Sequence, residues 1–206
     1  MEQNHKPAKD QFDDNSIKIL AWNEHIQRRP EMYIGQIGDG SDPKDGIYTL
    51  LKEAFESFLD EYKMGRCNEI VIEHNSLMVS IREYGCGIPL ESVVPYTSGM
   101  SVGIGVNQDV VTASGIKIAN ALSESFLCNS YREGMRSWAL YTNGFLLEKG
   151  IEEDDEDEPI GTWIQFEFDK EIFSGSYYRL EIVKDIIKQY AKQNPGLSIT
   201  LNHKKL

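Results

Sequence analysis

Three clusters in this 206-residue sequence combine residue types and spacings suited to chemistry. In the segment Gly46–Tyr62, Glu53, Glu56 and Asp60 fall three and four residues apart, so a helix would carry them on one face, with Glu61 beside them. A carboxylate held there can activate a water molecule, and an ordinary solvated helix face would look the same in sequence. The stretch Glu83-x-Gly85-x-Gly87-Ile88-Pro89 sets a carboxylate just before two glycines. Glycine lets a backbone approach a ligand closely, and a buried carboxylate can accept a hydrogen bond from a base amino group. The plainer reading is a turn leaving an edge strand. Third, Ser114-Gly115-Ile116-Lys117 opens an apolar helical run, with Gly99, Gly103 and Gly105 upstream. A helix N-terminus bearing Ser, Gly and Lys suits an anionic phosphate, and equally well a capped helix that follows a glycine-rich loop.

These clusters need elements to hold them. Ile47, Leu50, Leu51, Ala54, Phe55, Phe58, Leu59 and Tyr62 repeat at three and four, which predicts one buried helical face from Gly46, closed by Gly65. Ile70–Ile72 and Met78–Ile81, parted by Asn75-Ser76, predict a β-hairpin that delivers the chain to Glu83. A helix over Ile116–Leu122 follows, then strands at Phe126–Arg132, Ser137–Thr142, Phe145–Glu148 and Thr162–Phe168, a helix over Tyr178–Gln193 and a strand at Leu197–Leu201. Near the start, Ser16 is placed to cap a helix containing Ile17, Ile19, Leu20, Trp22 and Ile26, ending at Arg28-Arg29-Pro30. Met32–Gly35 and Gly38–Pro43 read as loop, and residues 1–15 as a polar arm. The order predicts an α+β domain over 16–206, one mixed sheet covered on one face by helices. The acidic run within 151–159, Glu152 to Glu158, reads as a solvated loop between two strands; a calcium loop of the EF-hand kind lacks its central glycine here.

Composition narrows the function classes. With 21 Lys+Arg against 33 Asp+Glu the formal net charge is −12, which argues against this chain gripping nucleic acid over a wide face. Cys67, Cys86 and Cys128 are odd in number and lack C-x-x-C spacing, so neither a disulfide framework nor a zinc knuckle is indicated. No apolar run approaches the roughly 20 residues that span a bilayer, and Met1–Pro7 lacks the apolar core of a signal peptide, so a cytoplasmic protein without membrane contact is expected.

Taken in order, the motifs resemble the ATPase domain of type IIA DNA topoisomerase B subunits, gyrase B and topoisomerase IV B, of the GHKL superfamily. Arg29-Pro30-Glu31-Met32-Tyr33-Ile34-Gly35 looks like the family's R-P-x-M-Y-I-G entry, and Glu53-x-x-Glu56-Ser57-x-x-Asp60-Glu61 like its E-x-x-D-N-x-x-D-E helix. Glu83-x-Gly85-x-Gly87-Ile88-Pro89 looks like D-x-G-x-G-I-P, and Gly115 to Ser123 like the lid-to-helix segment ending in N-A-L-S. Gly161-Thr162-x-Ile164-x-Phe166, Glu171-Ile172-Phe173 and Asn194-Pro195-Gly196-Leu197 complete the series. The resemblance implies a Bergerat two-layer α/β sandwich binding ATP with Mg2+ between helices and sheet. It implies Glu53 as the general base and Glu56, Ser57, Glu83, Gly85, Gly87, Ile88, Pro89, Gly115, Ile116, Lys117 and Thr162 around the nucleotide, with Arg132 at the rim. It further implies nucleotide-dependent homodimerisation through residues 1–15, from a monomer without nucleotide. DNA and the topoisomerase A protein would be engaged only through the transducer and metal-binding domains, which come after residue 206 in the family's order.

The departures fall on the nucleotide contacts. Ser57 stands where the family's Asn ligates magnesium, Phe58 replaces a small residue, and Glu83 is one methylene longer than the family's Asp. Cys86 replaces the rim arginine between the two glycines, and Val110–Gly115 keeps only the last glycine of G-x-x-G-x-G. Fewer glycines mean fewer backbone N–H groups able to approach a triphosphate. Two functions follow from the resemblance: an ATP-binding domain with weak or no hydrolysis in isolation, or a degenerate GHKL domain that serves as a protein-binding module.

Overall fold

The structure, a computed structural model, describes residues 20–99, 114–154 and 157–206. The expectations for the arm at 1–15, for Ser16 to Ile19 and for the glycines at 103 and 105 and the lid segment 110–113 lie outside the described residues. Helices α1 (Trp22–Arg28), α2 (Glu31–Ile34) and α3 (Gly46–Lys63) lead into strands β1 (Glu69–His74) and β2 (Met78–Glu83). A 3-10 turn at Leu90–Ser92 and α4 (Val93–Thr97) come next, then α5 (Ser114–Ala121) and the antiparallel run β3 (Ser123–Arg132), β4 (Met135–Thr142), β5 (Phe145–Glu153) and β6 (Gly161–Phe168). Helix α6 (Leu180–Gln193), β7 (Ser198–Leu201) and β8 (Lys204–Lys205) close the chain. The eight strands form one mixed sheet in the order β5-β4-β3-β6-β2-β1-β7-β8, with β1 and β7 parallel and every other pair antiparallel. The α+β, two-layer expectation is met.

One face of this sheet carries the core. Alternation along β2 and β6 turns Val79, Ile81, Ile164 and Phe166 inward, against Leu50, Leu51, Ala54 and Phe55 of α3 and Val183 and Ile187 of α6. Each such side chain contributes about 1.5–3 kcal/mol by leaving water, so α3 is held by its apolar stripe more than by helix propensity. The inward parity of β2 continues to its last residue, which is why Glu83 ends up inside. Thr162 stands directly across from it on β6, and Ser130 of β3 lies across from Thr162 on the other side.

Three local expectations are corrected. Helix α1 begins at Trp22 after an extended Ala21, later than the start expected near Ser16. Residues read as loop at Met32–Gly35 include a helical turn, which starts after Pro30, whose φ of −58° is already helical, and buries Ile34 to 1% against Gly46. Strand β5 runs on through Glu152 and Glu153, which pair with Arg136 and Met135, so the acidic run is partly strand; Asp155 and Glu156 lie outside the described residues. Helix α4 and strand β8 had no sequence signal.

Candidate nucleotide-binding site

Glu53 lies midway along α3, half-buried, and the first turn of α5 rests on it. A Cβ built on Gly115 would stand 2.0 Å from the Glu53 carbonyl oxygen, a contact only glycine permits. The Ser57 hydroxyl donates to that same carbonyl at 3.2 Å, one turn back along the helix. Burial raises the Glu53 carboxyl above its ordinary range, and the like charge of Glu56 adds to it. Glu56 is exposed and accepts a hydrogen bond from the Tyr190 hydroxyl of α6. Phe58, 2% exposed, is part of the hydrophobic core.

Glu83 is 1% exposed at the end of β2. Its carboxylate folds back onto its own loop: the Gly85 N–H donates to Oε2 at 2.5 Å, and the Thr162 side chain is a second hydrogen-bond partner. Burial pushes this carboxyl up, while those two hydrogen bonds hold it partly down. The loop beyond is sewn to the sheet. The Ile88 N–H donates to Thr162 Oγ1 at 3.2 Å, and the Ser130 hydroxyl donates to the Ile88 carbonyl at 2.6 Å. Gly87 takes a φ of +67°, and an added Cβ there would meet Ser130 Oγ at 3.0 Å and Arg132 Cγ at 3.1 Å. Glycine is therefore required twice over at this position. Arg132 reaches the Gly87 carbonyl at 3.4 Å, and Pro89 is exposed just beyond Ile88, itself 7% exposed.

At α5, Ile116 is fully buried and packs, while Lys117 is half-buried with its ammonium pushed below the ordinary range by desolvation. Among the described residues no group of three or more His, Cys, Asp or Glu is arranged to hold a metal ion. The Ser57 hydroxyl oxygen keeps lone pairs after donating to Glu53, which suits it to one position on a cation whose other ligands come from a triphosphate and water.

Two further residues border the site that spacing alone did not single out. Arg66, in the α3–β1 connection, grips Glu61 with two hydrogen bonds, Nε to Oε2 at 2.7 Å and Nη2 to Oε1 at 2.8 Å, and its carbonyl lies 2.7 Å from where a Gly85 Cβ would be. Tyr96 of α4 is half-buried against the core, its hydroxyl pushed up by burial and then by Glu61, Cys128 and Glu83. Nothing in the sequence pointed to Arg66 or to Tyr96.

Burial of Glu83 makes stability depend on pH. A carboxyl raised by folding above its ordinary 4.5 contributes stability that is present below that value and lost as pH rises through the raised one. Glu83→Gln keeps an acceptor for the Gly85 N–H but does not titrate. Urea unfolding of both proteins from about pH 4.5 to about pH 8 should show the variant gaining on wild type as pH rises. A gap that stays constant would mean that Glu83 is not strained by its burial.

No family model matches the chain. It is 41% identical over 198 residues to the B subunit of DNA topoisomerase 4 from Borreliella burgdorferi, an alignment covering 93% of this chain and 33% of that protein. It is 27% identical over 216 residues to the B subunit of DNA gyrase from Treponema denticola, covering 97% of this chain and 33% of that one. The chain thus spans about a third of the length of these curated relatives. Among solved structures, the 43K ATPase domain of Thermus thermophilus gyrase B, in complex with an aminocoumarin, superposes with a TM-score of 0.71 at 24% identity, over 89% of this chain and 50% of that one.

Proposed function

This chain is homologous to the B subunits of DNA gyrase and topoisomerase IV and carries the GHKL fold of the gyrase B ATPase domain, and from that premise we propose that it binds ATP with Mg2+. The observation that supports this best is the buried carboxylate of Glu83, hydrogen-bonded to Gly85 and Thr162 at the mouth of a loop whose glycines admit no side chain. In this reading Glu83 and Thr162 hold the base, with Gly85, Gly87, Ile88 and Pro89 forming the loop against it. Gly115, Ile116 and Lys117 set the start of α5 toward the phosphates. Ser57 offers its oxygen to magnesium, whose chemistry is to neutralise charge on the phosphates. Glu53 takes the proton of the attacking water, Glu56 supports it electrostatically, and Arg132 lines the rim. Hydrolysis by this segment alone is slow or absent.

Coupling to DNA and to the topoisomerase A protein belongs, in this proposal, to domains of the kind that the relatives carry outside the aligned third, and residues 1–15 form a homodimer contact once nucleotide is bound. No helix among the described residues is long and apolar enough to cross a membrane, and we place the protein in the cytoplasm. A second reading, a GHKL domain that no longer hydrolyses ATP and binds a protein partner, is favoured by one specific feature: the Ser57 hydroxyl donates its hydrogen bond to the Glu53 carbonyl of its own helix.

Isothermal titration with a non-hydrolysable ATP analogue, with and without magnesium, separates them. The first reading expects saturable, magnesium-enhanced binding that Glu83→Ala weakens by about tenfold or more, the loss of one hydrogen bond to a charged group being about 1.5–3 kcal/mol. Absence of saturation at millimolar analogue would leave the second.

A further inference from the structure

The loop that carries Glu83 also brings two sulfurs to adjoining backbones. Gly85 sits flush on Cys67, where an added Cβ would stand 3.0 Å from the Cys67 Cβ. Cys86 is the next residue and is exposed, while Cys67, in the α3–β1 connection, is 7% exposed. Cys128 lies apart in β3, fully buried. Disulfides join Cα atoms about 4.4–6.8 Å apart, and the β1–β2 register, with Ile70 across from Glu83 and the Tyr84 N–H donating to the Glu69 carbonyl at 3.4 Å, counts on to Cys67 across from Cys86.

We propose that Cys67 and Cys86 are a redox pair that closes into a reversible intramolecular disulfide, tying the Glu83–Pro89 loop to the α3–β1 connection. The oxidant is hydrogen peroxide. The exposed Cys86 thiolate attacks one peroxide oxygen, the O–O bond breaks, and the leaving hydroxide is protonated to water, giving a Cys86 sulfenic acid. The Cys67 sulfur then attacks the Cys86 sulfur; the S–O bond breaks, and hydroxide departs with the proton that Cys67 gives up, as a second water. Two thiols are oxidised by two electrons and one peroxide is reduced to two waters. Burial pushes the Cys67 thiol up to about 12, so Cys67 is the resolving partner and not the first to react. In a reducing cytosol such a bond is transient, as a latch requires. The closed form holds Gly85, and with it the backbone N–H that supports Glu83, whatever occupies the pocket.

The test treats the native full chain with hydrogen peroxide, then denatures, alkylates and maps the cysteines by mass spectrometry. The expected product is lighter by two hydrogen atoms, joins the peptides of Cys67 and Cys86, leaves Cys128 alkylated, and returns to three alkylated thiols on reduction. Cys86→Ser, at an exposed position, should leave Cys67 alkylatable after the same treatment. Several results would overturn the proposal: Cys86 over-oxidised or linked between chains while Cys67 stays alkylatable, Cys67 lost in Cys86→Ser, or no reaction in wild type. No nucleotide enters the assay, so its outcome is separate from that of the titration.

Discussion

Gly115→Ala should lower the melting temperature by about 4–8 °C, although helix propensity alone predicts the opposite sign. Alanine in place of glycine favours a helix by about 1 kcal/mol. The new Cβ, however, would fall 2.0 Å from the Glu53 carbonyl oxygen, 2.6 Å from its carbonyl carbon and 3.1 Å from its Cα. These are backbone atoms in the middle of an 18-residue helix, with no rotamer to turn away. Relief requires moving α5 off α3, and overpacking of this kind costs about 1–3 kcal/mol and occasionally more. With backbone on both sides of the contact the cost falls at the upper end, about 3 kcal/mol, and the net loss of about 2 kcal/mol corresponds to that shift for a chain of this size. Calorimetry of the two proteins decides it: an unchanged or raised melting temperature would mean that α5 does not seat on the Glu53 backbone.

Gly115 also shows what sequence could and could not convey. Its place at the head of an apolar run suggested a phosphate-binding helix start, and the structure adds a packing role that no spacing reveals, because the partner is 62 residues away. The same division holds elsewhere. Helix α3 and the β1–β2 hairpin were legible because their apolar periods are local, three-and-four against two. Helices α2 and α4 were not, since at 4 and 5 residues they are too short to hold themselves and form where Ile34 and Thr97 are buried. The insertion of β6 between β3 and β2 left no trace along the chain, yet it sets Thr162 beside Glu83. The motif series suggested that neighbourhood only through its resemblance to a known fold. Glu83 illustrates the same limit: its carboxylate accepts a hydrogen bond from the Gly85 N–H, a satisfaction that only the folded chain displays.

Glu53→Gln should reduce magnesium-dependent ATP turnover by about 10²–10⁴-fold while leaving the affinity for a non-hydrolysable analogue unchanged, the contribution expected of a positioned general base. The substitution is isosteric and removes only the capacity to take a proton. Position is preserved because the backbone at residue 53 is fixed independently of its side chain, by Gly115 on one side and by the Ser57 hydroxyl on its carbonyl. Burial and the neighbouring Glu56 charge raise the Glu53 carboxyl, which brings a base closer to neutrality, where its proton affinity is useful while it is still ionised. Wild-type turnover should accordingly decline as pH falls through that raised value, and Glu56→Gln, by removing the like charge, should move the decline to lower pH. Long-incubation phosphate release measures all three proteins. Equal measurable rates in wild type and Glu53→Gln would remove Glu53 from the chemistry of this chain.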